Sequence, residues 1–583
     1  MKNSRRWPTL TGSHSVSAAA GPASKGPPVR SPHWPWALGA AIAAGAVFLW
    51  GLAHARLLLY GDATAHLFIA RRMVDSRTPG MSQWGSVWLP FPHLLMAPFT
   101  VVMSWWRSGA AGSVVAVACF ALATWFLHRL AARHFGPAVA NWAALWFLLN
   151  PNFLYLASVP MTEAVYVMAF LGAVDQLSLA TADDRATSPH VIAAAAWALA
   201  AAMTRYDGWF CLPFFALMLL FSVPGQGPQW GRALRFCALA GLGPSFWFAY
   251  NQFYFGDWLS FLRGPYSARQ IYLRALRHGG QRYPGDHHLF VAMHYFLKAS
   301  ALDCGLPLLL LALAGVAAYG WSRRHTPPRS TAGLGSCTPG AGTTATPPRS
   351  SHGGAHWAAP CLLLLPLPWY VWAMWSGNVP IFVPMLWPHG YYNLRYGIQL
   401  LAGAALFSGV AVALAARWRH GRSAASAPAA DWAPAAGFQR GVWTAAALAV
   451  IASYGAMLAG PGPMTYAEAV HNAPARLAME HQLAAALQPR QTGQLVLMYT
   501  GTYPGALPDD GIPLRAVIQE SNFRQWDRAL AAPQRYAAWV VVQTGSPSAT
   551  GVNRADLRRY YHSVARFSAP LQPVITVYRR NAP

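Results

Sequence analysis

Asp62 stands in Tyr60-Gly61-Asp62-Ala63-Thr64-Ala65-His66, directly after the first membrane-length apolar run, and Arg71, Arg72 and Asp75 follow soon after. A carboxylate beside a bilayer is costly unless it faces a wet cavity or a cation. This placement therefore predicts a functional role. Comparable groups mark other span ends: Glu163 after Val159-Pro160-Met161-Thr162, Arg205-Tyr206-Asp207-Gly208-Trp209 between two apolar runs, and Asn393-Leu394-Arg395-Tyr396 before another. Carboxylates can take a proton from an incoming hydroxyl or amine, and arginines can clamp a phosphate through paired N–H groups. The set fits a reaction between a membrane-embedded phosphate donor and an external acceptor.

Blander accounts compete for single residues. Arg205 and Asp207 could form an ion pair that stabilises one loop, and Glu163 could cap the helix that follows it. His66 and His93 read first as packing or interfacial histidines. No His/Asp spacing resembles a metal site, so no cofactor is expected and a divalent metal has no support.

The elements that position these residues follow from composition. The chain has 583 residues, 55% of them hydrophobic and only 10% charged, against roughly 25% charged in a soluble domain. Its apolar runs are continuous, not alternating, which predicts an α-helical polytopic membrane protein in preference to a β-barrel. Eleven transmembrane helices are expected, at about 36–58, 110–128, 138–157, 161–180, 190–204, 208–222, 233–254, 299–320, 357–376, 397–416 and 441–459. The net charge of +25 would suggest nucleic acid in a soluble protein. Here no nucleic-acid motif accompanies it, and many of the basic residues fall in short loops. Arg129 and Arg133, Arg232 and Arg235, Arg323 and Arg324, and Arg417 to Arg440 mark cytoplasmic connections. This puts the N-terminus in the cytoplasm and, with an odd span count, the C-terminus outside. Arginine and alanine richness fits a GC-rich bacterial genome, hence a bacterial inner membrane.

Residues 1–35 read as a disordered cytoplasmic tail and 36–459 as the transmembrane domain. Within the latter, 61–109 is a first external loop with two helices lying along the membrane surface. Residues 321–356, with Thr-Pro-Pro-Arg-Ser at 326–330 and again at 346–350, read as a flexible cytoplasmic linker. A second external segment, 255–298, carries Arg263, Arg269, Arg274, Arg277 and Arg282, against the positive-inside trend. From 460 to 583, strand-like runs at 495–499, 514–518, 538–542 and 574–578 alternate with helix-like ones at 475–487, 523–531 and 554–567. This predicts a small soluble C-terminal α/β domain, with no constellation of its own and a role confined to acceptor choice. The six cysteines lack metal or redox spacing and read as small core residues.

Taken in order, these motifs resemble the GT-C superfamily of membrane glycosyltransferases, particularly the family-39-like group of protein O-mannosyltransferases and lipid A aminoarabinose transferases. The resemblance covers about 36–416. It rests on Gly61-Asp62, Ala70-Arg71-Arg72-Met73, Trp88-Leu89-Pro90-Phe91-Pro92-His93, Leu127-His128-Arg129-Leu130 with Phe135-Gly136, Pro160-Met161-Thr162-Glu163, Arg205-Tyr206-Asp207-Gly208-Trp209 and Arg395-Tyr396. It implies a polyprenyl-phosphate-sugar donor, an external active site and an inverting transfer with Asp62 as general base. The second acidic residue frequent after that aspartate is replaced by Ala63, and the donor-phosphate lysine of some relatives has no counterpart. Arg71, Arg72, His93 or an arginine of 255–298 would then substitute for it, Arg205 and Arg395 would neutralise the leaving phosphate, and Glu163, Tyr206, Asp207 and Tyr396 would line the substrate site. The partners expected are that donor, the lipid bilayer and an acceptor of unspecified class. The rival function is a transporter or flippase of a lipid-linked sugar; a scaffold that presents the C-terminal domain is a third.

Overall fold

Proline and glycine decide how the apolar runs become helices. A computed structural model describes residues 32–582 apart from 184–187, 223–226, 278, 326–354, 419–437, 461 and 571. Residues 1–31 of the expected N-terminal tail and 326–354 of the expected 321–356 linker lie outside the described residues, whereas one helix begins at Trp34 and another runs to His325. Helix occurs at each of the eleven expected spans, but the count of membrane-length helices is lower. Among the described residues six helical stretches are long and apolar enough to cross a bilayer, and Leu289–Cys304 with Leu306–Ser322, bent by 113°, would make a seventh.

The difference has local causes. The expected spans 110–128 and 138–157 fall largely in the helical stretch Ala110–Leu148, which breaks into two helices where Gly136 adopts φ 81° ahead of Pro137. Glycine takes that backbone freely, and proline cannot donate the next helical hydrogen bond. Pro189–Ala202 and Tyr206–Leu220 have 14 and 15 residues, short of the roughly 20 a straight crossing needs. The 233–254 run divides at Gly241 into Trp230–Ala240 and Leu242–Phe255. The run at 357–376 starts as a tighter helix, Ala355–Leu364, before Pro366–Trp375.

Glu163–Ala182 is the axis of the bundle, with almost every residue buried. Glu163 is its first residue. Asp175, twelve residues on and so roughly 18 Å along the axis, takes Arg129 at 3.0 Å and Arg133 at 2.9 Å. Two charged clusters thus stand at opposite ends of one apolar helix, held apart by its rise.

The first loop corrects an expectation. Gly61–Arg72 does not lie on a surface: Ala63, Thr64 and every residue from His66 to Arg72 are buried. It packs against Phe91–Thr100, and Arg71, Arg72 and His66 find partners inside. Arg71 pairs with Asp75 at 2.7 Å, Arg72 donates to the Gln83 carbonyl, and His66 meets His93 at 2.9 Å. Helical spacing of apolar residues is the same for a buried helix as for an interfacial one, so the pattern alone could not separate them.

The C-terminal region forms one sheet of order β2-β1-β3-β5-β4: β1 Val496–Met498, β2 Val517–Ile518, β3 Trp539–Gln543, β4 Tyr561–Phe567 and β5 Ile575–Arg580. β1 runs parallel to β2 and β3, whereas β5 is antiparallel to β3 and β4. Alternation splits its faces. Val496, Met498, Val541 and Val577 join the main core, while Leu497, Val540 and Val542 pack on Trp526, Leu530 and Leu557. β4 replaces the second half of the helix expected over 554–567, which ends at Tyr560. Tyr561 to Phe567 instead completes the edge of the sheet with mostly exposed side chains.

Candidate active site

Arg395 is the centre of a buried ionic cluster. It follows Asn393, whose left-handed backbone (φ 54°) turns the chain into the tight helix Leu394–Leu400. Its Nη2 donates to Asp62 Oδ2 at 2.5 Å, its Nε to Glu163 Oε1 at 3.3 Å, and its Nη1 to Glu468 Oε1 at 3.2 Å. Its backbone N–H reaches Glu468 Oε2 at 3.2 Å, which also accepts from the Tyr60 hydroxyl at 3.2 Å. The guanidinium lies over the rings of Tyr60 and Tyr396, 5.0 and 5.1 Å from their centroids, a geometry that favours a cation.

Arg205 adjoins it across Glu163. Nη1 of Arg205 reaches Thr162 Oγ1 at 3.2 Å and the same Glu163 Oε1 at 3.4 Å. Nε donates to Asp207 Oδ2 at 3.3 Å and Nη2 to the Tyr370 hydroxyl at 2.9 Å, which passes its own proton to Asp207 Oδ2 at 2.9 Å. Arg205 stacks 4.7 Å from the centre of the Tyr396 ring. The Arg205–Asp207 pair therefore exists, but inside a larger network. Glu163 does stand at the start of its helix, but its carboxylate is committed further: one oxygen is shared by the two arginines, and among the described residues the other is buried without a partner.

Four carboxylates face two guanidinium groups, and exposure separates their roles. The side chains of Glu163, Glu468 and Asp207 are 1%, 2% and 4% exposed, whereas that of Asp62 is 42% exposed. Asp62 alone of the four is open to a substrate, with one oxygen held by Arg395. The span ends thus bring together Asp62, Glu163, Arg205, Asp207, Arg395 and Tyr396.

The other sequence candidates stand elsewhere. Arg71 is committed to Asp75 and to the Thr100 and Val101 carbonyls. Arg72 is committed to the Gln83 carbonyl. The Tyr206 hydroxyl donates to the Val87 carbonyl at 2.6 Å and accepts from Trp247 at 3.2 Å. Arg263, Arg269, Arg274 and Arg277 are exposed, and Arg282, 72% exposed, approaches Asp286 at 4.0 Å. His93 meets the site only through His66.

Sequence reasoning missed Tyr60, Thr162, Tyr370 and above all Glu468. Glu468 belongs to Met464–Leu487, which the sequence assigned to a separate C-terminal domain. That helix is pinned to the membrane body. Thr465 binds Asn152 at 3.0 Å and Arg476 reaches the Leu58 carbonyl at 2.7 Å. The available signal was a single Glu among Tyr466-Ala467-Glu468-Ala469-Val470, an acid in an apolar stretch that calls for a partner. Removing residues 465–583 would therefore strip Arg395 of a buried partner. The truncated chain is expected to unfold at a lower temperature than the full chain even when inserted, which thermal unfolding in detergent would check.

An open cavity of about 550 Å³ lies away from this cluster, against Trp36, Asn141, Trp142, Leu145, Arg440 and Trp443. Among the described residues no three His, Cys, Asp or Glu side chains are grouped to hold a metal ion.

No protein-family model and no curated protein sequence matches this chain. Solved structures do. ArnT from Cupriavidus metallidurans bound to undecaprenyl phosphate is similar at 13% identity and a TM-score of 0.54, over 93% of this chain and 98% of that one. The same protein in the apo state is similar at 14% identity and a TM-score of 0.51, with the same coverage. Over nearly the whole length of both chains, the protein has the fold of these ArnT structures.

Proposed function

We propose that the protein is an inverting membrane glycosyltransferase that moves a sugar from a polyprenyl-phosphate-linked donor to an extracytoplasmic acceptor. The observation that carries this reading is Asp62, the open carboxylate of an otherwise buried cluster, fixed by Arg395. Asp62 takes the proton from the acceptor hydroxyl or amine as that group attacks the anomeric carbon. The bond from that carbon to the phosphate oxygen breaks, the electron pair stays on the phosphate, and the sugar leaves with inverted configuration. Charge developing on the phosphate is met by the Arg395 and Arg205 N–H groups that the carboxylates leave unused, the kind of preorganised stabilisation that carries most rate enhancement. Glu163 and Asp207 hold the two arginines in place. A lipid-phosphate donor also suits the fold shared with an ArnT structure bound to undecaprenyl phosphate.

In this reading the cluster faces the outside of a bacterial inner membrane, the N-terminus is cytoplasmic and the C-terminal sheet is external. A transporter would carry its ionisable groups near the bilayer midplane; here they gather where helices begin. Full-length protein incubated with a panel of radiolabelled polyprenyl-phosphate sugars is expected to cleave one of them, releasing polyprenyl phosphate and an inverted glycoside. Failure to cleave any of them in the presence of membrane acceptors would sink the proposal.

A further inference from the structure

The connector between Leu242–Phe255 and Leu289–Cys304 holds cations that the rest of the molecule does not neutralise. It carries Arg263, Arg269, Arg274, Arg277 and Arg282 against Asp257 and Asp286. Among the described residues Arg263, Arg269, Arg274 and Arg277 make no ion pair; Arg274 donates to the Pro265 carbonyl at 3.0 Å, which leaves its charge uncompensated. Asp286 already accepts from the Tyr272 hydroxyl at 2.9 Å, and Arg282 approaches it only to 4.0 Å.

Most of these arginines lie on the helix Ala268–Arg277, which sorts its residues by face. At about 3.6 residues per turn, Ala268, Ile271, Tyr272, Ala275 and Leu276 fall on one side. Arg269, Gln270, Arg274 and Arg277 fall on the other, interrupted by Leu273. A helix divided in this way ordinarily buries its apolar side in the protein. This one buries no residue. Ile271 and Ala275 are exposed, and the fold grips the apolar side at Tyr272, whose ring centre stands 4.8 Å from that of Tyr283. Tyr283 is anchored in turn by its hydroxyl, which donates to the Met374 carbonyl at 2.6 Å.

Both flanks of the connector are apolar and bare. Phe253, in the last turn of Leu242–Phe255, is 81% exposed, and Phe290, in the first turn of Leu289–Cys304, is 79% exposed. Trp258 and Tyr266 between them are exposed too. In a membrane body such side chains meet lipid, and indole and phenol rings collect where hydrocarbon gives way to head groups. The connector therefore runs along that boundary. We propose that Ala268–Arg277 is a lipid-binding surface: its apolar side sits in the interface, and Arg269, Arg274 and Arg277, with Arg263, take the phosphates of anionic phospholipids. Arginine suits this contact because its fork meets phosphate oxygens in pairs. A soluble acidic partner would match the charge but leave the apolar side in water, so the bilayer is the occupant that satisfies both faces. The proposal needs the membrane reading of the chain and not the glycosyltransferase one.

Full-length protein in nanodiscs of phosphatidylcholine, alone or mixed with phosphatidylglycerol, tests this by amide hydrogen exchange over residues 263–277. Exchange there is expected to slow about tenfold in the mixture, since each basic residue near an anionic surface adds severalfold to binding. High salt should erase the difference by screening. The variant Arg269→Gln/Arg274→Gln/Arg277→Gln should erase it as well, with an unchanged thermal midpoint because all three side chains are exposed. Exchange over the buried helix Glu163–Ala182 should ignore lipid charge. Equal exchange over 263–277 in the two lipids overturns the proposal without recourse to any variant. Slowing that persists in the triple variant overturns it too. So does slowing reproduced in pure phosphatidylcholine by inorganic phosphate, which would mark a free-phosphate site. Donor cleavage enters none of these measurements, so the proposal and the glycosyltransferase reading can fail separately.

Discussion

Asp62→Asn should lower donor turnover by ~10² or more while the protein stays folded. Asparagine keeps the size of the side chain and an oxygen that can still accept from Arg395 Nη2, so the geometry at 2.5 Å has a neutral counterpart. What disappears is the proton acceptor. Arg395 retains Glu163 and Glu468, and Asp62 is the most exposed member of the cluster, so the loss of its charge leaves no buried cation unpaired. Single-turnover release of polyprenyl phosphate, measured beside thermal unfolding, separates the two effects. A well-folded variant with near-normal turnover would show that another group takes the proton.

Arg395→Met should produce the largest loss of stability in the site. Methionine matches the stem of arginine but removes the cation that three carboxylates share, two of them almost wholly buried. Leaving buried charges uncompensated costs about 3–5 kcal/mol, read as an earlier unfolding transition in detergent. Arg395→Lys should recover only part of this. An ammonium keeps the charge, but its single head cannot present three separate nitrogens to Asp62, Glu163 and Glu468. The double variant Arg395→Met/Glu468→Gln should be more stable than Arg395→Met alone, because it removes one stranded charge; the difference is the coupling between the two residues. Wild-type stability in Arg395→Met would mean that the cluster is solvated and does not hold these helices together.

Physical reasons divide what was legible in the sequence from what was not. Hydropathy located the helical segments because burying backbone in lipid demands continuous apolar runs. It could not decide which runs become full-length spans, since breaks such as the one at Gly136 and Pro137 come from single residues that hardly change a hydropathy average. Charge in an apolar setting is rare and costly, so Asp62, Glu163, Arg205, Asp207 and Arg395 stood out at span ends, and the fold brings all five to one place.

Arg71 and Arg72 stood out by the same rule and belong to other contacts. The rule finds costly charges and is silent about which partner offsets each one. Glu468 shows the limit from the other side. It is separated from Arg395 by 73 residues and from Asp62 by far more, and no local pattern links them. Short apolar runs revealed four of the five C-terminal strands, because those strands are largely buried. β4, an edge strand with mostly exposed side chains, carried no such mark. By itself the sequence determined that the chain is a helical membrane protein with ionisable groups at helix ends, for the solvation energies involved are set residue by residue. Only the tertiary structure decided that Asp62 is the open carboxylate and that Arg395 holds it, since exposure and pairing depend on which helix ends converge.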